Sequence, residues 1–289
     1  MKMETTEERK KILVTGNEGF IGTHVTQKLR EKGFDVLGYD IVSGYDLLNV
    51  GQLESSIEKV DVVIHIAAQA DLTKMAESVE EGRIGTLRNV EATHNVAYLC
   101  AKHKKWLIYA STVCVYGNLE EHPALEDKTL PNPSELYACS KYAAEWIVKG
   151  YGINYGMPYT IHRYATIYGE GMRPALGMHI FFTQAMTNQP ITVHGDGTQD
   201  RTLTYVGDLA DGIVKTVEVG EKAYNQIFNL TAPETISAQK MAEDIKTVTK
   251  SKSEIVHIPQ RENQTIHEDF DVSKAKELLG WEAETKLRS

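Results

Sequence analysis

Tyr137 and Lys141 are spaced four residues apart in the segment Tyr137-Ala-Cys-Ser-Lys141. On a helix, side chains at this spacing share one face. A free tyrosine has a pKa near ~10 and is a poor base at neutral pH, but a neighbouring ammonium favours the phenolate. Thr112, which follows Ser111 at the end of an apolar run, adds a hydroxyl that can relay or hold a substrate proton. Together these residues predict an acid–base site centred on a tyrosine.

A glycine-rich turn precedes these residues, where a predicted strand passes into a predicted helix. Gly16, Gly19 and Gly22 follow the spacing Gly-x-x-Gly-x-x-Gly. Glycines at such a turn let the backbone approach a pyrophosphate, which rests on the N-terminus of the helix. Asp40 ends the next predicted strand, where a carboxylate can accept both ribose hydroxyls and repels a 2′-phosphate. Positions 41–52 contain no arginine or lysine, which favours NAD over NADP.

Short apolar runs alternate with helical segments over the first 168 residues. The predicted strands are 11–15, 35–40, 60–67, 106–111 and 159–168, and the predicted helices are 22–32, 89–103 and a helix capped by Ser134 that carries Tyr137. This alternation predicts an α/β fold with a Rossmann-like, doubly wound parallel sheet.

The pattern loosens after Gly169, where glycine, proline and polar turns dominate up to Gln199. Two short helices, at 236–249 and 273–279, follow. We therefore expect a smaller C-terminal lobe that binds substrate. The predicted division gives 10–168 plus 204–229 to the NAD-binding domain and 169–203 plus 230–289 to the lobe.

Composition excludes several classes of protein. The 289 residues carry a net charge of −9, so a global basic field for nucleic acid or a membrane surface is absent. The longest apolar run, 60–70, is interrupted by Asp61 and His65 and is too short to span a bilayer. Positions 1–11 are charged and do not form a signal peptide. The three cysteines have no paired spacing, so we expect no metal site and no disulfide framework, and a cytoplasmic location.

Several longer stretches resemble those of one protein family. They are His65-Ile-Ala-Ala-Gln-Ala-Asp71, Asn89-Val-Glu-Ala-Thr93, Ser111-Thr-Val-Cys-Val-Tyr-Gly117, Arg163-Tyr-Ala-Thr-Ile-Tyr-Gly169, Gly195-Asp-Gly-Thr-Gln-Asp-Arg201 and Tyr205-Val-Gly-Asp208. With the tyrosine–lysine pair, they make the chain similar, from about Lys11 to Trp281, to the extended short-chain dehydrogenase/reductases of the NAD-dependent sugar epimerase/dehydratase family.

This resemblance implies a tightly held NAD that is reduced and reoxidised within one turnover. Tyr137 would take the proton of the sugar C4 hydroxyl while the C4 hydride passes to NAD. The 4-keto sugar could then turn over in the pocket and recover the hydride on its other face. The result is 4-epimerisation of a nucleotide-diphosphate sugar without net redox change.

The resemblance also implies a set of binding residues. The cofactor would be held by Gly16, Gly19, Phe20, Ile21, Gly22, Asp40, Asp46, Leu47, Ala67, Ala68, Asn89, Ser111, Tyr137, Lys141 and Tyr164. The substrate would be held by Thr112, Thr166, Arg173, Arg201 and Arg261. Arg201 resembles the family's diphosphate-binding arginine, and Arg261 is a candidate for a second one.

Three departures bear on the branch of the family. Members that dehydrate the sugar carry Asp-Glu where this chain has Val113 and Cys114, so ordinary 4,6-dehydration lacks its carboxylates. Cys114 is either a small residue lining the pocket or a proton-transfer group, as in some 3,5-epimerases of the family. Thr166 and Arg173 resemble the corresponding residues of UDP-glucuronate 4-epimerases, and an arginine can grip a C6 carboxylate with two parallel hydrogen bonds.

We therefore predict an NAD-dependent nucleotide-sugar epimerase acting at C4, on a UDP-hexuronate or a UDP-hexose, with Tyr137, Lys141, Thr112 and Cys114 as the catalytic candidates. The enzymatic alternatives are a cysteine-assisted 3,5-epimerase, a nucleotide-sugar dehydratase and a uronate decarboxylase. The alternative from another class is an NAD-binding scaffold or sensor. The resemblance further implies a homodimer formed through the two helices at 89–103 and 134–150.

Overall fold

A parallel six-stranded sheet lies at the centre of the molecule. The computed structural model describes residues 9–118, 122–260 and 267–286. In chain order the strands are β1 (Lys11–Thr15), β2 (Asp35–Tyr39), β3 (Val62–His65), β4 (Trp106–Thr112), β5 (Tyr159–Tyr164), β6 (Thr166–Tyr168), β7 (Ile191–His194), β8 (Asp200–Tyr205), β9 (Gln226–Leu230), β10 (Thr235–Ser237) and β11 (Ile255–Ile258). The central sheet has the order β2-β1-β3-β4-β5-β9 with every pair parallel.

The structure has nine helices within the described ranges, and most of them cover the two faces of this sheet. They are α1 (Phe20–Glu31), α2 (Val50–Ile57), α3 (Leu72–Glu77), α4 (Val79–Lys102), α5 (Leu136–Tyr155), α6 (Gly177–Met186), α7 (Val206–Val219), α8 (Ala238–Val248) and α9 (Ser273–Leu279). Helices α6 and α8 belong to a second group of elements. Successive side chains of β1 point to opposite faces of the sheet. On one face Val14 packs with α1, α7 and α9, and on the other Leu13 packs with α2, α4 and α5. Both faces are therefore buried, and the predicted doubly wound α/β fold is confirmed.

A second group of elements follows β5. Strands β10, β8 and β6 form a three-stranded sheet, and β11 pairs with β7. These strands share a separate apolar cluster with α6 and α8, formed by Tyr168, Phe181, Ala185, Ile191, Val193, Leu203, Ala238, Met241, Ala242 and Ile245. This cluster gives the lobe a core of its own. The exact boundaries between the lobe and the NAD-binding domain stay a prediction.

Some predicted elements differ in the structure. The expected strand 159–168 is broken at Ala165, so its first half joins the central sheet and its second half the lobe. Helix α6 lies in the stretch expected to be irregular. The helix expected at 89–103 begins at Val79, because Ser78 accepts a hydrogen bond from the backbone N–H of Glu81. Ser134 does not cap α5, whose N-cap is Glu135 with no side-chain hydrogen bond.

Among the helices in the described ranges, none combines the length and the apolar character needed to cross a bilayer.

Candidate active site

One cleft of about 940 Å³ opens at the carboxyl ends of the central strands. It is lined by most of the residues that the sequence predicted for the site: Gly16, Gly19, Phe20, Ile21, Gly22, Asp40, Asp46, Leu47, Ala67, Ala68, Asn89, Ser111, Thr112, Cys114, Tyr137, Tyr164, Thr166 and Arg173. The carboxyl end of a parallel sheet is where ligands bind in folds of this type. Lys141 and Arg201 are not among the lining residues, and Arg261 lies outside the described residues.

The glycine turn brings β1 and α1 into close contact at one end of the cleft. Gly16 has a φ of +73°, and a Cβ on Gly22 would lie 1.9 Å from the carbonyl oxygen of Gly16. The N-cap of α1, Gly19, offers no side chain to the N–H groups of the first turn, and that turn has no acidic residue. These donors therefore face the cleft and suit the diphosphate of a dinucleotide.

Asp40 lies at the end of β2 and lines the same end of the cleft. Its side chain accepts hydrogen bonds from the backbone N–H of Glu18, at 3.0 Å, and of Val42, at 3.1 Å. These two bonds fix the carboxylate beside the glycine turn and leave lone pairs for ribose hydroxyls. The arrangement fits NAD.

Two further predicted cofactor residues differ in what their side chains do. Tyr164 lines the cleft, but its hydroxyl is buried in the wall and has no hydrogen-bond partner among the described residues. Asn89 instead accepts from the backbone N–H of Gln69, at 2.7 Å, and donates to Ser140, at 3.1 Å. It thereby fixes the loop after β3 against α5.

The tyrosine–lysine pair lies on the first turns of α5. Tyr137 lines the cleft, and burial raises the pKa of its phenol, with the nearby Cys114 adding to the effect and Arg173 opposing it. Lys141 lies behind the cleft wall with its Nζ 4.4 Å from the ring centre of Tyr109. Burial lowers the pKa of Lys141 to about 7, and the carboxylate of Glu145 opposes that shift. The protonation states of Tyr137 and Lys141 are thus set by burial and by a few nearby charges.

Thr112 and Cys114 line the same cleft, where β4 runs into a short 3₁₀ turn. The hydroxyl of Thr112 accepts a hydrogen bond from the backbone N–H of Cys114, at 3.2 Å, which leaves its own proton for a ligand. The side chain of Cys114 is exposed to the open cleft, yet protein surrounds the thiol closely enough to raise its pKa to about 11. Little thiolate therefore exists at neutral pH.

Arg173 and Thr166 line the cleft from the lobe side. Arg173 donates a hydrogen bond to the carbonyl oxygen of Ala70, and its charge reaches Tyr137. The guanidinium therefore lies near Tyr137, although one of its N–H groups is already used by the backbone.

Glu268 is a cleft residue that the sequence reasoning missed. Its carboxylate is 3.5 Å from Nε of Arg201 and accepts a hydrogen bond from the backbone N–H of Thr202, at 3.2 Å. It is also among the charges that raise the pKa of Cys114. Arg201, predicted to hold a diphosphate, thus already has a carboxylate partner. Glu268 belongs to no recognised motif and lies 154 positions after Cys114, so only the fold reveals it.

A buried ion pair behind the cleft was also missed. Glu145 of α5 forms two hydrogen bonds with Arg163 of β5, at 2.7 and 3.0 Å, and both side chains are inaccessible to solvent or nearly so. The hydroxyl of Ser111 donates to the same carboxylate at 2.6 Å. The side chain of Ser111 is therefore directed at Glu145, although the residue lines the cleft.

A Rossmann-type sheet whose cleft has a glycine turn at one end and, at the other, a tyrosine followed by a lysine four residues later is typical of the extended short-chain dehydrogenase/reductases. Residues 12–231 match the model of the NAD dependent epimerase/dehydratase family, and the chain belongs to this family. NAD is the cofactor of the family, in agreement with the prediction from Asp40 and the residues around it.

Individual relatives cover nearly the whole chain. UDP-glucuronic acid decarboxylase 1 of Danio rerio is 30% identical, with 98% of this chain and 71% of the relative covered. The structure of UDP-glucose 4-epimerase with UDP-glucose from Thermotoga maritima has a TM-score of 0.88 at 28% identity, covering 96% of this chain and 95% of that chain. The structure of UDP-glucuronic acid 4-epimerase with UDP-glucuronic acid and NAD from Bacillus cereus has a TM-score of 0.87 at 27% identity, with the same coverage.

Proposed function

We propose that this protein is an NAD-dependent nucleotide-sugar 4-epimerase. The observation that carries the proposal is that one cleft joins the glycine turn and Asp40 to Tyr137 and Thr112. A sugar bound at the end of the cleft that contains Tyr137 and Thr112 would present its C4 hydroxyl to the phenol and the threonine hydroxyl. Relatives that act on UDP-sugars at C4 support the same assignment.

Tyr137 and Thr112 have different roles in the proposed proton transfer. NAD, when bound, supplies the group that accepts and returns a hydride. Tyr137 takes the proton of the C4 hydroxyl, while Thr112 holds the same oxygen by a hydrogen bond. Because burial raises the pKa of Tyr137, the phenolate depends on positive charge nearby, to which Arg173 contributes. Lys141, one turn further along the same helix, is proposed to add to it. The 4-keto sugar then turns in the cleft before the proton is returned.

The substrate is a nucleoside diphosphate sugar, and we propose a UDP-hexose or UDP-hexuronate on the strength of the relatives' substrates. Two charged residues of the cleft act in opposite directions on this choice. Arg173 favours a C6 carboxylate, whereas the carboxylate of Glu268 disfavours one and partly neutralises Arg201. The first assay should therefore compare a hexose and a hexuronate that are linked to the same nucleoside diphosphate.

The alternatives have less support. A 3,5-epimerase would need the thiol of Cys114 to exchange protons, and in the cofactor-free protein burial raises the pKa of that thiol to about 11, so the Cys114→Ser variant is the test of this alternative. Decarboxylation remains a second candidate because a relative at 30% identity is a decarboxylase and Glu268 brings a carboxylate to the cleft. A scaffold without catalysis is disfavoured because Tyr137, Lys141 and Thr112 are all present.

We also propose a cytoplasmic homodimer that pairs α4 and α5 with the same helices of a second copy. Large apolar side chains on these helices are exposed, among them Leu87, Trp146 and Ile153. Light scattering should give twice the chain mass, and Trp146→Asp should reduce it to that of one chain. An unchanged mass in the variant would place the interface elsewhere.

The direct test is incubation of the purified protein with UDP-glucose, UDP-glucuronate and UDP-N-acetylglucosamine, with the products identified by NMR. The proposal predicts the C4 epimer of at least one of them. Loss of the carboxylate from UDP-glucuronate would instead support the decarboxylase, and recovery of every sugar unchanged would contradict the proposal.

A further inference from the structure

The buried carboxylate of Glu145 is bonded to both central strands that end beside the acid–base site. Ser111 of β4 donates to it at 2.6 Å, and Arg163 of β5 donates to it at 3.0 Å from Nε and 2.7 Å from Nη2. Glu145 itself is 0% exposed and lies on α5, the helix that carries Tyr137. One side chain thus joins the helix to two strands.

These bonds connect the two halves of the proposed proton-transfer site. Ser111 immediately precedes Thr112, whose hydroxyl faces the cleft, and Glu145 is two helical turns after Tyr137 and one turn after Lys141. A shift of α5 along β4 would change the separation of the phenol from the threonine hydroxyl. The hydrogen bonds of Glu145 oppose that shift because all their partners are buried and fixed in the sheet.

We propose that Glu145 is a positioning residue of the active site, which holds the register of α5 against β4 and places a negative charge one helical turn from Lys141. The proposal rests on the proposed function, since it assigns Glu145 a role in the proton transfer at Tyr137. Glu145 acts through Ser111 and Lys141 and does not itself reach the cleft.

The surroundings of Lys141 explain why the carboxylate of Glu145 affects the pKa of that lysine. Burial lowers its pKa to about 7, and Glu145 opposes the shift. Among the described residues, three other groups near Lys141 are uncharged at neutral pH in the cofactor-free protein. Burial raises the pKa of Tyr109 of β4 and of Tyr137, and the pKa of His65 of β3 is lowered to about 3 by burial and by Lys141 itself. Arg163 lies on the far side of Glu145 and is bonded to it. Without the charge of Glu145, Lys141 would lose its proton at lower pH.

The substitution Glu145→Gln tests the proposal, because glutamine keeps the shape and removes the charge. We expect kcat to fall at least about tenfold, NAD affinity to stay near that of the wild type, and the alkaline limb of the pH–rate profile to move about one unit lower. Ser111→Ala should lower kcat without moving the limb, since it removes the strand contact and leaves the charge.

The matched control is Thr160→Val on β5. Thr160 is buried and bonded to Trp106, at 3.1 Å, and to the carbonyl of Ala223, at 2.6 Å, away from the cleft. Its loss should lower stability and leave the pH–rate profile unchanged. If Thr160→Val moved the limb as Glu145→Gln does, general destabilisation would be the cause and the proposal would fail.

A readout that needs no turnover separates this proposal from the proposed function. The ¹³Cε shift of Lys141, assigned with Lys141→Arg, reports its pKa in the cofactor-free protein. Glu145→Gln should lower that pKa even if no nucleotide sugar were a substrate. An unchanged Lys141 pKa together with an unchanged pH–rate profile would reduce Glu145 to a purely structural residue.

Discussion

Tyr137 illustrates how burial and charge compete at a single residue. Burial raises the pKa of its phenol, so the cofactor-free protein holds it protonated at neutral pH. Arg173 opposes that rise, and the positive ring of bound NAD would add to the opposition. The phenolate is therefore expected to form in the complete complex, where the proton acceptor is needed.

The substitution Tyr137→Phe removes this acceptor and keeps the ring. We expect turnover to fall by a factor of at least about 10²–10⁴, the usual contribution of a general base. NAD affinity, measured by calorimetry, should change little because the glycine turn and Asp40 are untouched. A variant that turned over near the wild-type rate would exclude Tyr137 as the base.

Cys114→Ser tests whether the thiol takes part. Because burial raises the pKa of Cys114 to about 11, the thiolate is a minor species at neutral pH, and the serine variant should keep a rate close to that of the wild type. Solvent deuterium should enter neither C3 nor C5 of the product in either protein. Loss of activity in the variant together with deuterium at C5 in the wild type would make Cys114 a catalyst.

The residues that the sequence predicted for the site were those belonging to short motifs. Gly22, Asp40 and Tyr137 are recognisable because each has a fixed place relative to a strand or a helix. Glu145 and Glu268 are not, because an isolated glutamate is normally a solvated surface residue. Only the fold shows that Glu145 pairs with Arg163 inside the core and that Glu268, which lines the cleft, lies beside Arg201.

At the level of elements, the contact of α1 with β1 determines the cofactor end of the cleft. A Cβ on Gly22 would lie 1.9 Å from the carbonyl oxygen of Gly16, a backbone atom that cannot move aside cheaply. Gly22→Ala should therefore lower the free energy of unfolding by about 1–3 kcal/mol and weaken NAD binding.

Gly150 in α5 provides the matched control. A Cβ there would meet no atom within 4 Å, so Gly150→Ala should stabilise the protein by about 0.4–1 kcal/mol and leave NAD affinity unchanged. Both properties can be measured by denaturant unfolding and calorimetry. Equal NAD affinities for the two variants would contradict the role assigned to the glycine turn.

The inner strands of the central sheet, such as β3 and β4, were predictable because they are continuous apolar runs buried on both faces. Helix α4 was predicted too short because its first turns contain Gly82 and Gly85, and glycine has a low helix propensity. These glycines are explained by packing, since a Cβ on Gly82 would lie 2.7 Å from Leu136 and one on Gly85 would lie 2.8 Å from Met75. Helix α6 was missed because the glycines and prolines before it suggest a loop.

At the scale of the whole molecule, two buried histidines make the free energy of unfolding depend on pH. Burial lowers the pKa of His65 and of His162 to about 3, and Lys141 adds to the effect at His65. In the unfolded chain both would titrate near ~6.5. Their neutral forms therefore stabilise the fold fully above pH ~6.5, and that contribution is lost as the pH falls toward the folded pKa values.

We expect the free energy of unfolding to fall by about 2 kcal/mol for each of these histidines between pH 7.5 and pH 5. Urea unfolding at a series of pH values measures this slope. The variant His162→Gln, whose amide can still bond to Thr216, should show a shallower slope than the wild type. Identical slopes for the two proteins would show that His162 does not contribute.

The central claim is that the hydride removed from C4 returns to C4, with Tyr137 moving the proton. The most direct measurement is epimerisation of a UDP-sugar deuterated at C4, followed by NMR of the product. The C4 epimer should keep its deuterium at C4, and no hydrogen should be exchanged at C3 or C5. Loss of the C4 label to solvent, or exchange at C3 or C5, would contradict it.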